Sequence, residues 1–80
     1  MSIANISLAN LRAGESGRVL RVSGGWGVQR RLQALGIRPG ATVTKVSAPF
    51  RPGAIVVSAG GGQAALGYGV ARKVIVEVYP

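Results

Sequence analysis

The chain has no cysteine, no histidine and no aspartate, and its only side-chain carboxylates are Glu15 and Glu77. Without thiols there is no disulfide staple and no thiolate metal site, so packing, alone or aided by a partner, must hold the fold. With no imidazole and so few carboxylates, almost nothing is left for acid–base chemistry or for ligating a transition metal such as Fe²⁺. No nucleophile has a plausible base beside it, which argues against an enzyme. The longest aliphatic run falls far short of the roughly 20 residues needed to span a bilayer. The N-terminus lacks a basic stretch followed by an apolar one, so no secretory signal is read there and a cytoplasmic protein is expected.

What is present is a small apolar body with a one-sided charge. Eighty residues, 48% of them apolar, make one domain (1–80) and argue against disorder. The net charge of +8 should draw the chain to something anionic: nucleic acid, a membrane face or an acidic protein.

The stretch Trp26–Gly40 (WGVQRRLQALGIRPG) carries the one sustained helical period. Val28, Leu32 and Leu35 share a face, with Arg30, Arg31 and Gln33 turned away from it. Gly36 falls where a helix end needs a left-handed residue, and Ile37 is placed to fold back on Leu32 in a Schellman closure. Pro39 then bars a restart.

Around this helix the chain reads as short strands. Leu8 and Leu11 fit a single helical turn capped by Ser7, and Arg12–Gly17 is a turn region punctuated by Gly14 and Gly17. Strands are expected over Gly17–Val22, Ala41–Ser47, Ala54–Ser58, Gln63–Leu66 and Val74–Val78. The first alternates unevenly, and Val43 and Val46 need a bulge or a twist to share a face. Ser23–Gly27 is a flexible approach in which Ser23 or a glycine caps the helix, Ala48–Gly53 is a loop, Gly60–Gly62 turns a hairpin, and Gly67–Lys73 is a 3₁₀ or single-turn connection. The expected fold is mainly β: a small SH3-like barrel of about five antiparallel strands, with one short amphipathic helix plugging an end and one or two helical turns.

Two glycine patterns suggest nucleotide chemistry and lack its context. Gly60-x-Gly62-x-x-Ala65 after a strand mimics a dinucleotide fingerprint, but Gly67 and Gly69 interrupt the helix that must follow. The Ser23–Gly27 loop leads into a helix without the Gly-Lys-Ser/Thr ending that a P-loop needs. No cofactor and no metal ligand are therefore assigned. Trp26, between glycines at a helix start, is either a core residue or an exposed binding anchor. Arg30, Arg31 and Arg38 form a basic cluster, read either as a solvated helix face or as the footprint of an anionic partner. Pro49, Phe50 and Arg51 form a loop tip whose aromatic is either a core plug or a contact.

The order of residues also resembles a known family. Leu8, Leu11 and Gly14 come first, followed by Gly24 and Gly25, then Arg31-Leu32 with Leu35-Gly36-Ile37 and Pro39-Gly40. Val43 and Val46, Ala48-Pro49-Phe50, Leu66, Ala71, Val74 and Val76 follow. This set resembles the FeoA family of small cytoplasmic proteins associated with bacterial ferrous iron uptake, most specifically in RLQALGIRPG. The departures are Gly67, where the family commonly has a basic residue, and the loose triple glycine before it.

The resemblance implies an SH3-like barrel without catalytic activity that binds and modulates the permease FeoB, which carries a cytoplasmic GTP-binding region. It places the chain in the cytoplasm, recruited by its partner to the inner face of the membrane. The expected contact surface is Trp26, Arg30, Arg31, Arg38, Pro49, Phe50 and Arg51. Self-association through the apolar helix flank is a further expectation. The rival reading is a small basic barrel that binds nucleic acid; against it, the four aromatics are scattered rather than interleaved with basic residues on one strand pair.

Overall fold

A computed structural model describes residues 4–47 and 53–78. The expected loop contacts Pro49, Phe50 and Arg51 lie outside the described residues. The elements are β1 (Ala4–Ser7), a 3₁₀ turn (Leu8–Asn10), β2 (Ser16–Val22), α1 (Trp26–Ala34), β3 (Thr42–Ser47), β4 (Ala54–Ala59), β5 (Gly62–Gly67), α2 (Tyr68–Ala71) and β6 (Val74–Val78). All strand pairs are antiparallel, in the order β1-β6-β2-β3-β4-β5, so β1 and β5 form the two edges. Mainly β with short helices, the architecture is the one expected, with one strand more than predicted. The extra strand is β1, whose apolar–polar alternation (ANIS) runs for only four residues, too few to stand out in the sequence, and which pairs with β6 from Ala4↔Val78 to Ser7↔Ile75.

The core is built by alternation. On β6, Val74, Val76 and Val78 point inward, and on β4 Ile55, Val57 and Ala59 do the same. Leu8, Leu11, Leu32, Ile37 and Val43 close the space between the curled faces of the sheet. Gly17, expected both to end the turn and to open the strand, lies inside β2, where a Cβ would stand 3.0 Å from Val76 Cβ and Cγ2. A side chain there would fit only if Val76 gave way by a few tenths of an ångström.

Two irregularities explain the uneven patterns. Between Val19 and Arg21 the register of β2 against β6 slips, leaving Leu20 as an extra residue turned outward. A second slip between Lys45 and Ser47 does the same to Val46, so the expected irregularity exists but leaves Val46 exposed instead of bringing it beside buried Val43. At the other end of β4, Gly60 and Gly61 both have positive φ (58° and 84°) and join β4 to β5 in a two-residue turn of the kind that matches strand twist.

The end of α1 closes as its sequence predicts. Gly36 has φ 85°, its N–H donates to Gln33 O at 2.9 Å, and Ile37 N–H donates to Leu32 O at 2.8 Å. These are the two bonds of a Schellman motif, and Leu32 and Ile37 are both buried. The start is looser. Gly25 is the N-cap without a side-chain cap bond, and Gln29 Nε2 donates to Gly24 O at 3.2 Å. The 3₁₀ turn after β1 likewise receives no side-chain bond from Ser7.

Candidate functional site

Helix α1 uses only part of its apolar stripe. Leu32 is fully buried and Val28 packs partly against the core, but Leu35 remains 41% exposed. The helix therefore does not plug the barrel with its whole apolar face. It anchors through Leu32 and Ile37 and leaves Leu35 beside a groove.

That groove runs between α1 and β5. Toward the start of the helix it encloses about 270 Å³, lined by Val28, Arg31, Leu32 and Leu35 on one side and Ala65, Leu66, Gly67 and Val70 on the other. Toward the end of the helix a second hollow of about 420 Å³ brings Leu35, Gly36 and Arg38 opposite Gly60, Gly62, Gln63 and Ala64. Leu35 belongs to both. Where helix and hairpin meet, backbone touches backbone: a Cβ on Gly36 would lie 3.3 Å from Gly60 Cα.

The cluster at the helix start is equally defined. Trp26 is 72% exposed, which settles its two readings in favour of the surface. The guanidinium of Arg30, one turn on, lies 4.6 Å from the Trp26 ring centroid, a cation–π contact that contributes about 0.5–1 kcal/mol at exposed sites. With Gly27, Val28 and Arg31 these residues form a shallow shelf. Arg31, expected to point away from the apolar stripe, lines both this shelf and the groove. Arg38 lies beyond the helix, at the far hollow. Of the predicted contacts, Trp26, Arg30 and Arg31 come together on α1, while Arg38 is reached only along the groove.

The two carboxylates sit elsewhere. Glu15 accepts a hydrogen bond from Arg12 N–H at 2.9 Å in the turn before β2. Glu77 lies on β6, in register with Arg18 on one side and Asn5 on the other. Neither lines the shelf or the groove, so the positive charge of α1 has no local acid against it. Among the described residues no three acidic, histidine or cysteine side chains gather as a metal site. No helix among them is long and apolar enough to cross a membrane.

The groove between α1 and β5 was not anticipated from the sequence. The signal available was a gap in charge: residues 53–71 contain no Asp, Glu, Lys or Arg in a chain of net charge +8.

A six-stranded antiparallel sheet with one short helix against its edge defines a small SH3-like domain, and comparison with solved structures places it among domains of that kind. A crystal structure of an iron uptake regulatory protein (FeoA) superposes with a TM-score of 0.82 at 31% identity, over 91% of this chain and 96% of that one. The FeoA of Stenotrophomonas maltophilia, solved with zinc and described as a procaryotic SH3 domain protein, gives 0.75 at 28% identity, over 89% of this chain and 88% of its own. A manganese-dependent transcriptional repressor shares the fold alone, with a TM-score of 0.84 at 21% identity over 99% of this chain, which spans 44% of the repressor. No curated protein matches the chain. The FeoA domain family matches residues 6–78, and the chain belongs to that family, which is linked to ferrous iron transport.

Proposed function

We propose that the chain is a non-enzymatic accessory protein of bacterial ferrous iron uptake that binds the FeoB permease at its cytoplasmic side and modulates it. The observation that carries this reading is the acid-free basic face of α1, where Arg30 and Arg31 flank a Trp26 that is 72% exposed. An exposed aromatic held beside a guanidinium is a common interface anchor. Surrounding cations without local counter-charges steer association with an acidic surface. On this reading Arg38, Pro49, Phe50 and Arg51 extend the contact. The protein works in the cytoplasm and reaches the inner face of the membrane through its partner. Iron passes through the permease as cargo and needs no ligand from this chain.

The test is a pull-down with the soluble GTP-binding region of the permease, comparing wild type with Arg30→Glu/Arg31→Glu. The variant should lose binding by about tenfold or more, because reversing charges opposite an acidic patch converts attraction into repulsion. Undiminished binding removes these arginines from the contact. The same samples titrated with a DNA or RNA duplex separate the rival reading: micromolar nucleic-acid binding that persists near physiological salt would favour it, whereas purely electrostatic association fades steeply as salt rises. Sedimentation of the free protein reports any self-association through the helix flank.

A further inference from the structure

The backbone of β5 is the largest unspent feature of the molecule. β5 is the last strand of the sheet and pairs with β4 from Gly62↔Ala59 to Gly67↔Ala54 without a slip. In a hairpin closed by a two-residue turn, the residues flanking the turn form a hydrogen-bonded pair, and the pattern alternates from there. Gly62, Ala64 and Leu66 therefore bond to β4, while Gln63, Ala65 and Gly67 turn their N–H and C=O groups to the free edge. Among the described residues, no backbone bond outside the sheet engages residues 62–67.

Exposed edges are normally guarded by charge, proline, bulges or a covering element. β5 has no charged residue, no proline and no bulge. The element beside it is α1, but the space between them is a groove rather than a contact, lined by Val28, Leu35 and Val70 along one half. An edge strand and a helix wall separated by a groove make the arrangement in which an extended peptide adds a strand, its backbone bonding the edge and alternate side chains meeting the helix.

Charge then selects the occupant. Arg31 lines one half of the groove and Arg38 the other, and neither half contains a carboxylate. A second copy of this chain carries +8 and offers only Glu15 and Glu77, both placed elsewhere. Nucleic acid supplies the negative charge but no amide edge to pair with β5.

We propose that the groove between α1 and β5 receives an extended segment of a partner protein, acidic at its ends and apolar between, which pairs with Gln63, Ala65 and Gly67 as a seventh strand. The segment sets an apolar side chain against Leu35 and its carboxylates against Arg31 and Arg38. From Gln63 to Gly67 the free edge is about 13 Å long at ~3.3 Å per residue, enough for four to five residues of partner. The proposal deepens the docking reading above and rests on it for the identity of the partner.

The probe is an acetylated, amidated octapeptide with glutamate at both ends and alternating threonine and leucine between, titrated into the full chain by NMR. Shifts should gather on residues 62–67 and on α1, and amide exchange should slow at Gln63, Ala65 and Gly67. Two N-methylated versions give the decisive contrast. Methylating the alternate amides that face β5 should weaken binding by about tenfold or more, while methylating the other set should leave it within about twofold, because only one set donates to the edge. Arg31→Glu/Arg38→Glu should weaken the unmodified peptide, and that variant should bind a lysine-ended peptide better than wild type does. Equal binding by both methylated peptides, shifts away from β5, or no binding at millimolar peptide would overturn the proposal. If the permease domain binds while the peptides do not, strand pairing is wrong and the docking reading stands. If the peptide pairs while the permease domain does not bind, the groove stands and the partner is another acidic protein.

Discussion

β6 and β5 are both short, both antiparallel, and in almost every other respect opposites. β6 lies between β1 and β2, and its Val74, Val76 and Val78 are buried in the core. β5 lies at the edge, is built largely from glycine and alanine, and buries only Leu66. The sequence VIVEV is shaped by what it packs against. The sequence GQAALG is shaped by what it leaves free: small side chains, no charge and an open ladder. In so small a domain, stability comes from the strand that gives up its backbone and side chains entirely. A strand that gives up only half is the one with something to offer a partner.

The contrast is open to direct attack. Val76→Asp places an unpaired carboxylate in the core and should unfold the domain, since the loss of several kcal/mol is comparable with the whole stability of a small protein. Ala65→Asp, on exposed β5, should change the unfolding free energy measured in urea by no more than about 0.5 kcal/mol. Similar losses from the two substitutions would erase the distinction. Gly36→Ala meets both an unfavourable φ of 85° and the Gly60 backbone, and should cost about 1–3 kcal/mol in chemical denaturation. A neutral result there would mean that helix and hairpin can separate freely.

Hydrogen exchange should follow the same division. Amides of β6 should open only with global unfolding, while those of Gln63, Ala65 and Gly67, which face the free edge, should exchange with little protection. Trp26→Ala also belongs among the small stability effects. With 72% of the residue in solvent it should change stability by about 0.5 to 1 kcal/mol at most, the size of its contact with Arg30, and still weaken permease binding. Thermal or urea denaturation, run beside the pull-down, separates the two effects.

Much of this architecture could be read from residues whose meaning is local. Gly36 and Ile37 specify the helix end through two backbone bonds, and Pro39 forbids continuation, so the closure of α1 needed no tertiary information. The alternation of β4 and β6 is equally self-contained. What escaped was set by distant partners. Ala4–Ser7 alternates over too few residues to be read as a strand before its pairing with β6 is known. Gly17 was legible as the start of a strand, but the reason it must be small, Val76 lying 3.0 Å from where a Cβ would stand, was not. Leu35 belongs to the apolar face by spacing, yet it stays 41% exposed beside the groove to β5, and no periodicity reports how closely a helix seats against a sheet. The site divides in the same way. The basic cluster of Arg30 and Arg31 is visible in one helix turn, whereas the groove opposite requires β5 to be placed beside α1.

The abutment of Gly36 on Gly60 has a practical meaning for anyone modifying the molecule. Gly60 packs its backbone against Gly36, so epitope tags, reporter insertions and new chain ends should be avoided at that residue. The turns at Gly14 and Gly53, where an added Cβ meets nothing within 4 Å, are the places to cut and splice. A permuted or tagged protein opened at Gly14 should keep its helix seated, and the same operation at Gly60 should set it adrift.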